Sequence, residues 1–264
     1  DPTRETPVYM LSSSHEQREG ESVGNGGPLH TGLLLRGFTT VAYDHEYFPM
    51  ARDDHYGYFI GTYGYGMARQ IGVKTHTAAV RCARYYAAEY GYSEADGYSV
   101  GGGSKASYCA ILGSDEPNDR AELASFEGDS FNTTDYTTAG QPWLTYSAKS
   151  EMAGEKISAR VQGVVTFMGD GTNLHAQIVN KDTSPTVIAC GIYDQFGAWE
   201  KWPACQETYM KYDVPHLAMS MYDRGHAWPA EVDSVLKYDR SQAMIEFLYY
   251  WANNENVAPR VIYT

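Results

Sequence analysis

Hydrophobic positions fall into short runs and amphipathic stretches that alternate along most of the chain. Phe38-Thr-Thr-Val-Ala-Tyr43 reads as a buried strand. Val161-Gln-Gly-Val-Val-Thr-Phe167 and Thr186-Val-Ile-Ala-Cys-Gly191 read as parallel strands, and His216-Leu-Ala-Met-Ser-Met221 as the last. Each run is short, apolar and bounded by turn-forming residues. From Val73 to Tyr90 the pattern changes: Ala78, Ala79, Cys82, Ala83 and Tyr86 recur at three- to four-residue spacing, with Arg81, Arg84 and Glu89 between them. That spacing predicts a helix with one buried face, closed by Gly91. Further helices are expected at Trp199–Tyr212 and Gln242–Asn253. The stretch before Gly24 is short and mixed, with Pro7 to Leu11 its only strand-like piece. Asp115 to Gly140 is rich in Asp, Thr and Asn and lacks apolar periodicity, as a surface excursion near the mouth of a site would. The alternation predicts an α/β fold with a mainly parallel central sheet and helices on both faces. No repeat or low-complexity linker divides the chain, so residues 1–264 are expected to form a single domain.

Composition narrows the partners. A chain of 264 residues with 43% hydrophobic content can bury a sizeable core. The net charge of −13 would repel nucleic acid and anionic membrane surfaces, so neither is expected as a partner. No apolar run approaches the ~20 residues that span a bilayer. No signal-peptide pattern is found at Asp1-Pro2-Thr3-Arg4, although a mature secreted protein would look the same. The 23 tyrosines and five tryptophans suit carbohydrate or aryl ligands, core packing being the ordinary fate of such rings. Cys82, Cys109, Cys190 and Cys205 show no C-x-x-C and no metal-ligand spacing. Asp53-Asp54-His55 and His45-Glu46 carry metal-ligand residue types but lack a matching remote set, so no metal and no cofactor is expected.

The chemistry concentrates in Gly97-Tyr-Ser-Val-Gly-Gly-Gly-Ser-Lys-Ala-Ser107. Gly97-Tyr98-Ser99-Val100-Gly101 matches the nucleophile-elbow pattern G-x-S-x-G, and Gly102-Gly103-Ser104-Lys105-Ala106 matches it with alanine in the last place. An elbow needs a buried strand before the serine and a helix directly after it. After Ser99 come Gly101, Gly102 and Gly103, each costing a helix about 1 kcal/mol relative to alanine. After Ser104, Lys105 to Leu112 is a good helix closed by Gly113, and Gly97–Gly101 becomes the strand. Gly102 and Ala106 supply the small flanking positions. Ser104 is therefore the expected nucleophile, and the stricter match at Ser99 belongs to the strand.

A serine nucleophile needs a base, and the base needs a carboxylate to fix its tautomer. Asp194 follows the strand Thr186–Gly191, and His226 follows the last strand in Asp223-Arg-Gly-His226-Ala-Trp-Pro. They complete the order serine, acid, histidine. Asp223 and Asp170 are rival acids, the first too close in sequence to His226 and the second after an earlier strand. His216, opening a strand, reads as structural. The oxyanion needs two backbone N–H donors. One is assigned to Lys105, the residue after the nucleophile, and the other to Asn25 or Gly26 in Gly24-Asn25-Gly26-Gly27-Pro28, the Gly-rich loop before the first clear strand. Trp199 and Trp228, near the acid and histidine loops, are candidates for the pocket wall, with core packing as the alternative.

On these residues the chain resembles the α/β-hydrolase superfamily, and within it bacterial carboxylesterases similar to acetyl-xylan and feruloyl esterases. Asp44-His-Glu-Tyr-Phe-Pro49 looks like the family's D-Y-R-x-x-P segment, and Gly102-Gly-Ser-Lys-Ala106 stands where G-G-S-A-G is usual. Gly191-Ile-Tyr-Asp194 and Gly225-His226 stand where the family's acid and histidine lie. The family's H-G-G-G loop appears here as Val23-Gly-Asn-Gly-Gly27, without the histidine. The resemblance implies an α/β-hydrolase fold and a secreted serine carboxylesterase that removes acetyl or feruloyl groups from carbohydrate. A peptidase of the prolyl-oligopeptidase type and a non-catalytic binding module on the same fold are the alternatives. The family's strands before the oxyanion loop are hard to find, leaving two readings open: a shortened sheet, or a piece of a longer protein.

Overall fold

The structure is a computed structural model. It describes residues 6–12, 27–43, 76, 79–91, 98–103, 151–152, 155–156, 160–167, 179–194, 198–222, 225 and 240–252. Their centre is a six-stranded sheet. In chain order the elements are β1 (Val8–Ser12), α1 (Gly27–Leu34), β2 (Thr39–Tyr43), α2 (Ala87–Tyr90), β3 (Tyr98–Gly103), β4 (Glu151–Met152) and β5 (Glu155–Lys156). There follow β6 (Gly163–Phe167), β7 (Thr186–Gly191), α3 (Ala198–Lys211), β8 (His216–Met221) and α4 (Arg240–Ala252). The strands of the large sheet run in the order β2-β1-β3-β6-β7-β8, and every neighbouring pair is parallel. β4 and β5 form a separate two-stranded antiparallel pair.

Alternation along each strand sorts its side chains between the two faces. One face gathers Tyr9 and Leu11 of β1, Val165 of β6, Val187 and Ala189 of β7, and Leu217, Met219 and Met221 of β8. α1 contributes Leu29 and Leu33 to this core, and α4 contributes Met244, Ile245, Phe247 and Leu248. The two helices pack tightly: a side chain at Gly32 of α1 would collide with Ile245 of α4. On the opposite face lie Tyr98, with the Arg84 guanidinium 4.5 Å from its ring centroid, and His216, with Tyr209 of α3 at 5.3 Å. Helices therefore cover both faces, as a parallel sheet requires.

Interior threonine and serine hydroxyls find backbone acceptors. Thr166 Oγ1 donates to the Val187 carbonyl at 3.1 Å and Ser184 Oγ to the Val161 carbonyl at 2.7 Å. His216, read as structural, is buried at the start of β8 with its Nδ1 2.8 Å from the Val214 carbonyl. A carbonyl can only accept, so the proton sits on Nδ1.

The helical stretch expected from Val73 to Tyr90 is helical at residue 76 and at 79–85. It turns at Tyr86, resumes as α2 and ends at Gly91, whose φ of 73° is the left-handed cap that glycine adopts freely. α3 and α4 lie within a residue or two of their expected bounds, although α3 carries Pro203, which cannot donate to the carbonyl four residues back.

Two expectations need correction. Among the described residues Thr39–Tyr43 is an edge strand of the sheet, half-buried throughout and not fully buried, with β1 as its one partner there. The weak signal at Pro7–Leu11 marks β1, a central strand paired on both sides. The Gly-rich loop therefore follows a strand instead of preceding the first one.

Candidate active site

A parallel sheet brings all its C-terminal ends to one edge. Register makes the edge explicit: Ser12 of β1 pairs with Tyr43 of β2 and with Gly102 of β3, and Gly103 pairs with Phe167 of β6. Across the rest of the sheet, Phe167 pairs with Ala189 of β7, and Gly191 with Met221 of β8. From β1 the chain steps outward to β2, then crosses back over β1 to β3 and continues the other way to β8. The direction reverses between β1 and β3. A crevice opens outside the carboxyl ends of strands at such a reversal, and there open α/β sheets bind ligands.

The sequence-derived residues map onto that edge through the elements that carry them. Ser99 lies inside β3, registered with Tyr9 on one side and Gly163 on the other. A residue paired within a central strand is no elbow, so the strict pattern match is excluded as the turn. β3 ends at Gly103, two residues further than the expected strand, and Ser104 is the next residue in the chain. Ser104, Lys105 and the expected helix to Leu112 lie outside the described residues, as does the excursion from Asp115 to Gly140. Asn25 and Gly26 also lie outside them; they fall in the connection from β1 to α1, directly before Gly27, the first residue of that helix.

Asp194 is described. It sits three residues past β7 and is buried, 7% exposed. Its backbone N–H donates to the Gly191 carbonyl at 3.2 Å, closing a turn back onto the strand end. Within the same turn, the Ile192 N–H donates to the Met221 carbonyl at 3.1 Å. This bond ties the acid's turn to the end of β8, the strand that feeds the His226 loop. Gly225 is described as a half-buried bend, whereas His226 and Trp228 lie outside the described residues, as do the rival acids Asp170 and Asp223. Trp199 belongs to the first turn of α3, the helix after the acid's turn.

The carboxylate of Asp194 also leaves an electrostatic mark. Burial, and after it the negative charge of Asp194, push the Cys190 thiol up to about 12. Burial, and then Cys190, push Cys205 of α3 up to about 12 as well. Both are free, buried thiols and behave as small apolar side chains.

Two aromatic pairs near this edge carried little sequence signal. Tyr43, the last residue of β2, hydrogen-bonds through its hydroxyl to Nδ1 of buried His76. Tyr9, fully buried in β1, meets the His30 ring of α1 edge-on at 5.6 Å. Its hydroxyl occupies the place where a side chain at Gly101 would stand. Neither pair forms a motif, and strand alternation alone marks Tyr9 and Tyr43 as inward or outward positions, nothing more. Among the described residues no group of three or more metal-ligating side chains comes together. Asp53-Asp54-His55 and His45-Glu46 lie outside them.

No protein-family model matches the chain, and no curated protein does. Solved structures do. A truncated carbohydrate esterase from gut microbiota superposes with a TM-score of 0.63 at 14% identity, covering 95% of this chain and 87% of its own. An acetyl ester-xyloside bifunctional hydrolase from Caldicellulosiruptor lactoaceticus gives 0.60 at 13%, with 94% and 84% covered. Esterase 2 of Thermogutta terrifontis, in its form phosphonylated by cyclosarin, gives 0.58 at 14%, with 98% and 87% covered. At such identities the likeness concerns architecture. The parallel sheet, its strand order and these neighbours together give the chain an α/β-hydrolase fold.

Proposed function

We propose that this protein is a serine carboxylesterase that uses Ser104 as nucleophile, His226 as base and then acid, and Asp194 as the carboxylate that orients His226. One observation carries the reading. The residue after β3, the segment after β1, the turn after β7 and the segment after β8 all follow strand ends on the same edge of the sheet, the first two flanking the reversal point between β1 and β3. Those four connections hold the expected nucleophile, oxyanion loop, acid and histidine in that order.

In the first half of the reaction, His226 takes the Ser104 proton as Oγ attacks the ester carbonyl. The tetrahedral oxyanion accepts hydrogen bonds from the Lys105 N–H and from the N–H of Asn25 or Gly26. His226 returns the proton to the departing alcohol, which leaves an acyl-enzyme. In the second half, water loses a proton to His226 and attacks the acyl carbon; collapse of this second intermediate returns the proton to Ser104 and releases the acid. Asp194 stabilises the imidazolium in both halves. Its burial supports that role, because a water-poor setting strengthens attraction between opposite charges.

For substrate, the reading favours acetyl or feruloyl esters of carbohydrate. The tyrosine-rich composition supports this, and two similar structures are named as a carbohydrate esterase and an acetyl ester-xyloside hydrolase. Trp199 and Trp228 are proposed pocket residues. A polymeric substrate cannot cross a membrane, so a place outside the cell belongs to the same proposal. No helix among the described residues is long and apolar enough to cross a membrane. Residues 1–264 are taken as one catalytic domain.

The test compares p-nitrophenyl acetate with an aminoacyl-anilide, in wild type, Ser104→Ala and Ser99→Ala. Turnover of the acetate that Ser104→Ala abolishes and Ser99→Ala retains is the expected result. Preference for the anilide would convert the reading to a peptidase. A fluorophosphonate probe that labels no serine in the intact chain would leave a binding module.

A further inference from the structure

The strand that leads to Ser104 reads Tyr98-Ser-Val-Gly-Gly-Gly103, and its last three residues have no side chains with which to hold their own height in the sheet. Three successive glycines in a central strand weaken it through backbone entropy and missing packing. The neighbour fills the gap. A Cβ at Gly101 would meet the Tyr9 hydroxyl first and its Cζ at 2.9 Å, so the hydroxyl end of the phenol sits against the strand two residues before its end. Tyr9 is fully buried, and its hydroxyl has no hydrogen-bond partner among the described residues. Burial pushes that phenol far above its ordinary range, so it stays neutral. A phenylalanine would fill this apolar layer without leaving a buried hydroxyl unsatisfied. What tyrosine adds at this place is reach.

Tyr9 is also linked to the other side of the crevice. Its ring meets His30 edge-on, and His30 sits in α1, the helix that begins where the Gly-rich loop ends. Nε2 of His30 is buried and likewise has no partner among the described residues. β1, α1 and β3 thus converge on one side chain, and these elements carry the loop of the second oxyanion donor and the elbow of the nucleophile.

We propose that Tyr9 is a positioning residue for the reaction: its phenol, wedged between Gly101 and His30, sets the end of β3 relative to the β1–α1 loop, and so sets Ser104 against the oxyanion donors. The role rests on the esterase reading above. Geometry of this kind is costly to lose, since a misplacement of about 1 Å can slow catalysis by about a hundredfold.

The experiment measures kcat and KM on p-nitrophenyl acetate, the rate of fluorophosphonate labelling and the melting temperature, for wild type, Ser104→Ala, Tyr9→Phe, Gly101→Ala and the double variant Tyr9→Phe/Gly101→Ala. Tyr9→Phe should lose about tenfold or more in kcat, with KM within about twofold, while its melting temperature stays level or rises. A merely structural tyrosine would lower melting temperature and kcat together, and that result overturns the proposal. So does a Tyr9→Phe variant with wild-type kcat. Gly101→Ala should slow labelling more than Tyr9→Phe does, and the double variant should recover part of that loss, because the methyl then has a less extended neighbour. Wild-type labelling in Gly101→Ala, or a double variant worse than the sum of its parts, also overturns it. Wild-type activity insensitive to Ser104→Ala would sink the esterase reading and this role with it. Activity that depends on Ser104 and ignores Tyr9 would sink the Tyr9 role alone.

Discussion

The two halves of the sheet are built on different principles. β7 is buried at every position, with Thr186, Val187, Ile188, Ala189, Cys190 and Gly191 all inside, and β8 is buried at all but Ser220. Their own side chains fix them between α4 on one face and α3 on the other. β3, at the reversal point, ends in three glycines, and its position depends on what its neighbours put beside it. β7 and β8 carry a buried side chain at nearly every position, whereas the proposed nucleophile follows a strand that ends in glycine. Separating them lets the backbone approach closely at the crevice without sacrificing the core.

That contrast can be broken most decisively at the crevice. Ser104→Ala should cost about 10⁴-fold or more in kcat/KM with no change in melting temperature, checked by steady-state kinetics beside calorimetry. Asp194→Asn should cost somewhat less, on the order of 10³- to 10⁴-fold, because the acid acts through His226. Its pH–rate profile should change as well, whereas wild-type activity should fall below about pH 6.5, the ordinary histidine range, as the base becomes protonated.

In the core the sign reverses. Leu248→Ala on α4, where the leucine is fully buried, should destabilise by about 2–5 kcal/mol in chemical denaturation and leave kcat of the folded fraction unaltered. A Leu248 variant that lost activity before it lost stability would erase the division between the two halves.

The last effect, confined to alkaline pH, concerns the two buried thiols. Cys190 and Cys205 are held protonated to about 12 in the folded protein, against 9.0 for an unperturbed thiol. The folded state therefore keeps protons that the unfolded state has already released, so stability is intact below about pH 9 and declines as pH rises towards 12. Cys190→Ala should flatten that alkaline decline. In the wild type, iodoacetamide at pH 8 should modify neither thiol until denaturant is added.

Legibility followed the same division. Thr186–Gly191 and His216–Met221 could be read with their bounds because a strand buried on both faces is a continuous apolar run. The helix ending at Gly91 was legible from its spacing and its cap. β1 was harder, since Pro7–Leu11 is brief and isolated in a mixed segment. Its central place comes only from pairing with β2 and β3 across distant parts of the chain. The edge position of Thr39–Tyr43 was hidden for the same reason. Tyr9 escaped notice altogether: one tyrosine among 23 carries no pattern, and its contact with Gly101 spans two strands remote in sequence.

The sequence by itself determined the alternation of strands and helices. It also determined the preference for Ser104 over Ser99, because local backbone propensity decides where a helix can follow a strand. Tertiary structure alone decided which strands are neighbours, where the chain reverses direction, and that β1, the strand before the Gly-rich segment, lies beside β3. Those facts depend on hydrogen bonds between segments far apart along the chain, and no local pattern encodes them.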